Sequence, residues 1–72
     1  MSLAQIQKDH SIIVSDIATD GILKRRLMNF GIVKDTKITV VKFAPLGDPI
    51  IIDVKGCQLA IRKSEAKYIL SK

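Results

Sequence analysis

The chain is poor in the residues from which catalytic and metal-binding sites are usually built. Its 72 residues hold one histidine, one cysteine, three aromatic residues (Phe30, Phe43 and Tyr68) and no tryptophan. His10 has no serine or cysteine near it in a pattern that would make a nucleophile and its base, so nucleophilic catalysis has no support. His10 and Cys57 also stand apart from one another, whereas a transition-metal site needs clustered His, Cys or carboxylate ligands. No metal site and no cofactor are expected. No glycine-rich loop ends in Gly-Lys-Ser or Gly-Lys-Thr, which excludes a phosphate-cradling loop of that type. The acidic residues, Asp9, Asp16, Asp20, Asp35, Asp48, Asp53 and Glu65, fall mostly where turns and caps use them. The chain reads as a non-enzyme.

One cysteine cannot form an internal disulfide, which fits a reducing compartment. No charged leader with an apolar core and a small-residue cleavage site is read at the start. No apolar run approaches the roughly 20 residues of a membrane span. The expected location is therefore the cytoplasm, with any membrane role exercised through a partner. The shortage of aromatics matters again for the charge. Twelve Lys and Arg against seven Asp and Glu leave a net charge of +5, but the basic residues are spread along the chain. A nucleic-acid-binding barrel would couple a basic groove to aromatic stacking platforms. With Phe30 and Phe43 assigned to the core side of their elements, only Tyr68 is spare, and nucleic-acid binding stays a minor alternative to a solvated basic surface.

What the sequence does have is β-branched runs and turn signals. A chain this short buries only about 60% of its unfolded-state surface, so one domain over residues 1–72 is expected, with residues 1–9 loosely ordered. His10 to Ile17 carries Ile12, Ile13, Val14 and Ile17 and predicts a first strand. Thr19 or Asp20 caps a helix from about Gly21 to Phe30, closed by Gly31. Ile22, Leu23, Leu27 and Phe30 share its core side, while Lys24, Arg25 and Met28 are displayed outward. Thr36 to Ala44 forms a second strand, and Ile50, Ile52 and Val54 mark the core side of a third. Lys55-Gly56 forms a tight turn into a fourth strand, in which Cys57, Leu59 and Ile61 share a face and Cys57 is a small buried hydrophobe. Ser64 caps a short helical turn before a last strand at Tyr68 to Leu70. Strands in such quick succession leave no room for crossovers, so the pairing is antiparallel, and the edges call for a closed curl. The fold class is all-β: a small SH3-like barrel of about five antiparallel strands with one inserted α-helix and a short C-terminal helical turn.

Both prolines of the chain fall in one turn, Ala44-Pro45-Leu46-Gly47-Asp48-Pro49. They hold φ at each end, Gly47 is free to take positive φ, and Asp48 can bond its own backbone. Leu46, at the apex, is an unusual choice for a hairpin tip in water. An apolar anchor with a basic rim suits protein recognition better than chemistry. The candidate protein-binding residues are Leu46, Gly47, Asp48 and Pro49, with Lys24, Arg25 and Met28 as a second surface.

Three stretches carry a family resemblance. Ala44-Pro45-Leu46-Gly47-Asp48-Pro49-Ile50 resembles the P-L-G-D-P-I signature of the FeoA family. Arg26-Leu27-Met28-Asn29-Phe30-Gly31-Ile32 is similar to its R-L-x-x-L-G element, and Leu59-Ala60-Ile61-Arg62-Lys63-Ser64-Glu65-Ala66 to its L-A-L-R-x-x-E-A stretch. The resemblance covers nearly the whole chain. It implies an SH3-like barrel and a cytosolic accessory of ferrous-iron transport whose partner is FeoB, the membrane GTP-dependent transporter. The same type of domain ends DtxR-type metal-dependent repressors, so a regulatory or scaffolding module for another protein is the alternative. The absence of a helix-turn-helix favours the transport accessory. Lys34-Asp35 stands where many members carry Pro-Gly, so a partner role for that loop is not carried over.

Overall fold

The β-branched runs become strands that pair in the order β4-β3-β2-β1-β5. The computed structural model describes residues 1–72. Its elements are β1 (Ser11–Ile17), α1 (Gly21–Asn29), β2 (Lys37–Phe43), β3 (Ile50–Val54), β4 (Cys57–Ile61), α2 (Lys63–Ala66) and β5 (Ile69–Ser71). All four pairings are antiparallel. Bulges between Val14 and Asp16 and between Val40 and Lys42 shift the register of β1 and β2; such insertions bend a strand and sharpen its twist. The single sheet can then wrap one apolar interior, although no hydrogen bonds join β4 to β5.

Alternation puts Ile38 and Val40 of β2, and Ile50, Ile52 and Val54 of β3, into that interior, as their spacing requires. Ile12, Val14 and Ile17 of β1, Leu27 and Ala66 of the helices, Ile61 of β4, Ile69 of β5, and Leu3 and Ile32 from outside these elements complete it. The glycine at the end of α1 works as expected. Gly31 has φ +87, its N–H donates to Met28 O at 2.9 Å, and Ile32 N–H donates to Leu27 O at 3.0 Å. This is the Schellman arrangement with its apolar contact between the flanking residues.

Several expectations are corrected. The start is not loose: Leu3 is fully buried within a 3-10 turn over Leu3–Gln5, whose entry is held by Ser2 N–H donating to Gln5 Oε1 at 2.8 Å. Ser2 also bridges Leu70. Phe30 is half exposed rather than buried, because the Schellman turn sends Ile32 into the core in its place. Ile22, in the first turn of α1, is 81% exposed. Cys57 is exposed as well. It pairs with the buried Val54, but it begins the edge strand, beyond the part of the sheet that the core covers. Asp20 occupies the N-cap position of α1 without a side-chain bond. Ser64 lies inside α2 rather than capping it.

Candidate docking surface

The turn between β2 and β3 is held from within and from outside. Within it, Ala44 N–H donates to Pro49 O at 3.0 Å and Gly47 N–H to Ala44 O at 2.7 Å. Gly47 has φ +87, a conformation other residues take at a cost, and the Asp48-Pro49 peptide is cis. The outer support is Asp48. Its Oδ1 accepts the backbone N–H of Lys63 at 2.9 Å, and its Oδ2 lies 3.9 Å from the Arg62 guanidinium. A carboxylate at this point satisfies one of the unpaired donors of the first turn of α2. Lys63 also reaches back over the Phe43 ring, with Nζ 5.8 Å from its centroid.

Glu65 extends the bracing. It accepts the Arg62 N–H at 3.3 Å, the reaching-back half of a capping box, and pairs with Arg26 of α1 at 2.9 Å. A line of polar contacts thus runs from α1 through α2 to the turn. Leu46 is outside all of it. Its side chain is 97% exposed at the apex, while Gly47, Asp48 and Pro49 are half-buried beneath it.

The second predicted surface lies on one stretch of α1. Lys24 and Met28, one helical turn apart, line a small hollow of about 160 Å³ with Asp16, Ile17, Val33 and Lys34. Lys24 is half-buried there rather than fully displayed. Arg25 is exposed, turned about 100° from Lys24 around the helix with Met28 between them. Sequence reasoning overlooked Arg26, Arg62, Lys63 and Glu65 as the supports of the turn. The available signal was Glu65 three residues after Arg62, the spacing of a capping box, although arginine is not its usual first member.

The largest hollow, about 710 Å³, opens between residues 33–41 and the β3–β4 hairpin, and most of the residues around it are polar. No three His, Cys, Asp or Glu side chains gather in a way that could hold a metal ion. Cys57 is exposed and His10 lies beside a separate hollow near the start of the chain. No helix is long and apolar enough to cross a membrane.

The profile of the FeoA domain matches residues 1–72. The chain belongs to the FeoA family. Among curated relatives, the Fe(2+) transport protein A/Fe(2+) transporter FeoB fusion protein of Porphyromonas gingivalis is 26% identical over 69 residues, which cover 96% of this chain and 8% of that protein. The iron(II) transport protein A of Clostridium thermocellum superposes with a TM-score of 0.95 at 29% identity, covering 100% of this chain and 44% of that one. The chain therefore spans less than half the length of either. The Stenotrophomonas maltophilia FeoA complexed with zinc, described as a prokaryotic SH3 domain protein, matches with a TM-score of 0.88 at 28% identity and covers 100% of this chain and 89% of that one. A manganese-dependent transcriptional repressor shares the fold alone, at 16% identity and a TM-score of 0.84 over 100% of this chain and 41% of that one. The SH3-like fold read from strand spacing thus agrees with the architecture of the family.

Proposed function

We propose that this chain is a non-enzymatic, cytoplasmic accessory of ferrous-iron uptake that docks on a FeoB-like membrane GTPase transporter. The observation that carries the reading is Leu46: a fully displayed leucine on a turn held by its own backbone bonds and by the bond from Lys63 to Asp48. A rigid support lowers the entropy lost when a side chain is immobilised in a complex, so such a residue makes an efficient anchor. Gly47, Asp48 and Pro49 shape the contact, and Arg62 and Lys63 add a positive rim beside it. The Porphyromonas gingivalis fusion supports the pairing, since its name joins a transport protein A to a FeoB transporter in one chain. The Stenotrophomonas maltophilia FeoA, for its part, has been advanced as a ferrous iron transport activating factor.

Lys24, Arg25 and Met28, within one arc of α1, form a secondary contact. The mechanism is a population shift. The accessory binds one conformation of the transporter better than another, because equal binding to both would change nothing. The deciding experiment is recovery of the transporter from native membranes by the tagged chain, followed by GTP turnover with and without it. Wild type retains the transporter and Leu46→Asp does not. Equal recovery by both would remove the turn from the interface.

A further inference from the structure

The two edges of the sheet are treated differently. Beyond β5 the first residues close the edge: Ser71 N–H donates to Met1 O at 2.9 Å and Ser2 bridges Leu70. Beyond β4 there is nothing. The two-residue turn at Lys55-Gly56 makes Val54 and Cys57 the hydrogen-bonded pair that closes the hairpin. Antiparallel pairs alternate, so Leu59 and Ile61 bond inward to β3 while Gln58 and Ala60 direct their backbone N–H and C=O groups outward. No turn or loop hydrogen bond reaches those groups, and both residues are exposed.

Exposed edges are ordinarily protected by a lysine, a proline or a bulge within the strand. The strand Cys57–Ile61 has none of the three. Its charges stand just outside, with Lys55 before one end and Arg62 after the other. Arg62 is largely exposed, and its contact with Asp48 is long. The result is an uncharged, open edge with a positive charge at each end.

We propose that β4 is a site for strand addition, and that its ligand is an extended segment of a partner protein: about five uncharged β-forming residues with acidic residues at both ends. Charge complementarity selects this occupant over a second copy of the chain. Antiparallel self-pairing would set Lys55 of one copy against the basic end of the other, whereas an acid-ended segment is matched in either direction. The backbone supplies affinity through Gln58 and Ala60, and the two ends supply selectivity. This site does not include Leu46, although Arg62 borders both.

The test uses the whole chain and a capped nonapeptide, Glu-Glu-Val-Thr-Val-Thr-Val-Glu-Glu, with a Lys-ended analogue as control. With peptide at ten times its Kd, amide exchange at Gln58 and Ala60 is expected to slow about tenfold by mass action, and the Lys-ended peptide is expected to give no protection. Ala60→Pro removes an outward donor that β3 does not use, so it should abolish binding while cross-strand contacts between β3 and β4 persist. Lys55→Glu, which leaves the strand itself unaltered, should weaken the acidic peptide and favour the Lys-ended one. The proposal is overturned if Gln58 and Ala60 stay unprotected, if both peptides bind alike, or if sedimentation shows that copies of the chain already pair through this edge.

Discussion

The Asp48 carboxylate accepts the Lys63 backbone N–H at 2.9 Å, so the turn that displays Leu46 is fastened to the first residue of a helix fifteen positions later. Asp48 is therefore a support of the candidate site before it is a contact. Replacing it with alanine strips a cap and should cost about 1 kcal/mol. Asn keeps an acceptor and should cost less. Chemical denaturation of the two variants orders them; equal losses would show that the bond is not what matters.

Leu46→Asp should behave in the opposite way. No core contact is lost at an exposed apex, so stability should stay within about 0.5 kcal/mol of wild type. Association with the transporter, and restoration of iron uptake in a strain lacking the chain, should both fall. A variant that complements as well as wild type would deprive the turn of its proposed role.

The packed start of the chain makes a clear demand on stability. Leu3 is fully buried, and Leu3→Ala should cost roughly 2–5 kcal/mol, the range for truncating a core leucine. In a domain this small that loss is a large share of the total. A denaturation midpoint unchanged by the substitution would return residues 1–9 to the loose state that composition suggested.

Gly31 should resist substitution for a conformational reason. A Cβ there would meet only Val54 Cγ1 at 3.9 Å, an ordinary contact, but φ is +87. Gly31→Ala should therefore cost about 1–2 kcal/mol through the left-handed backbone. Gly31→Asn should cost less, since asparagine tolerates that region better. Thermal melts of the pair separate backbone strain from crowding.

Lys72 lowers the pKa of Asp35 below its ordinary value, first through a side-chain hydrogen bond and then through its charge. A depressed folded-state pKa means that the pair's contribution is complete above the unfolded value, near 3.9. It is lost as pH falls through the lower folded value. Both groups are exposed, so Lys72→Met should leave stability at neutral pH nearly unchanged. It should also make the fall in stability below about pH 4 shallower. An acid titration of unfolding that is identical in wild type and variant would refute the coupling.

Much of the fold was legible because its signals are local. Period-two alternation placed Ile50, Ile52 and Val54 inward, and Gly31 marked the end of α1 to the residue. The strands themselves moved by one or two positions at most. Where the reading failed over burial, the missing information was the path of a turn or the place of a strand in the sheet. Phe30 and Ile32 are both apolar and near the helix end, and only the path of the turn decides which one enters the core. Cys57 has the right register for burial, but β4 is an edge, and edge position is a property of the sheet order.

The candidate site divides along the same line. Two prolines and a glycine in six residues were enough to specify a stiff turn with Leu46 at its tip, since φ restrictions act within the turn itself, whereas the expected bond of Asp48 to its own backbone goes instead to Lys63. That Asp48 serves α2, that Arg26 and Glu65 brace the same corner, and that Lys24 is half-buried required the chain to be folded. Local conformational preferences are encoded residue by residue, but exposure and partnership depend on which segments the sheet brings together, and that is decided by the packing of the whole core.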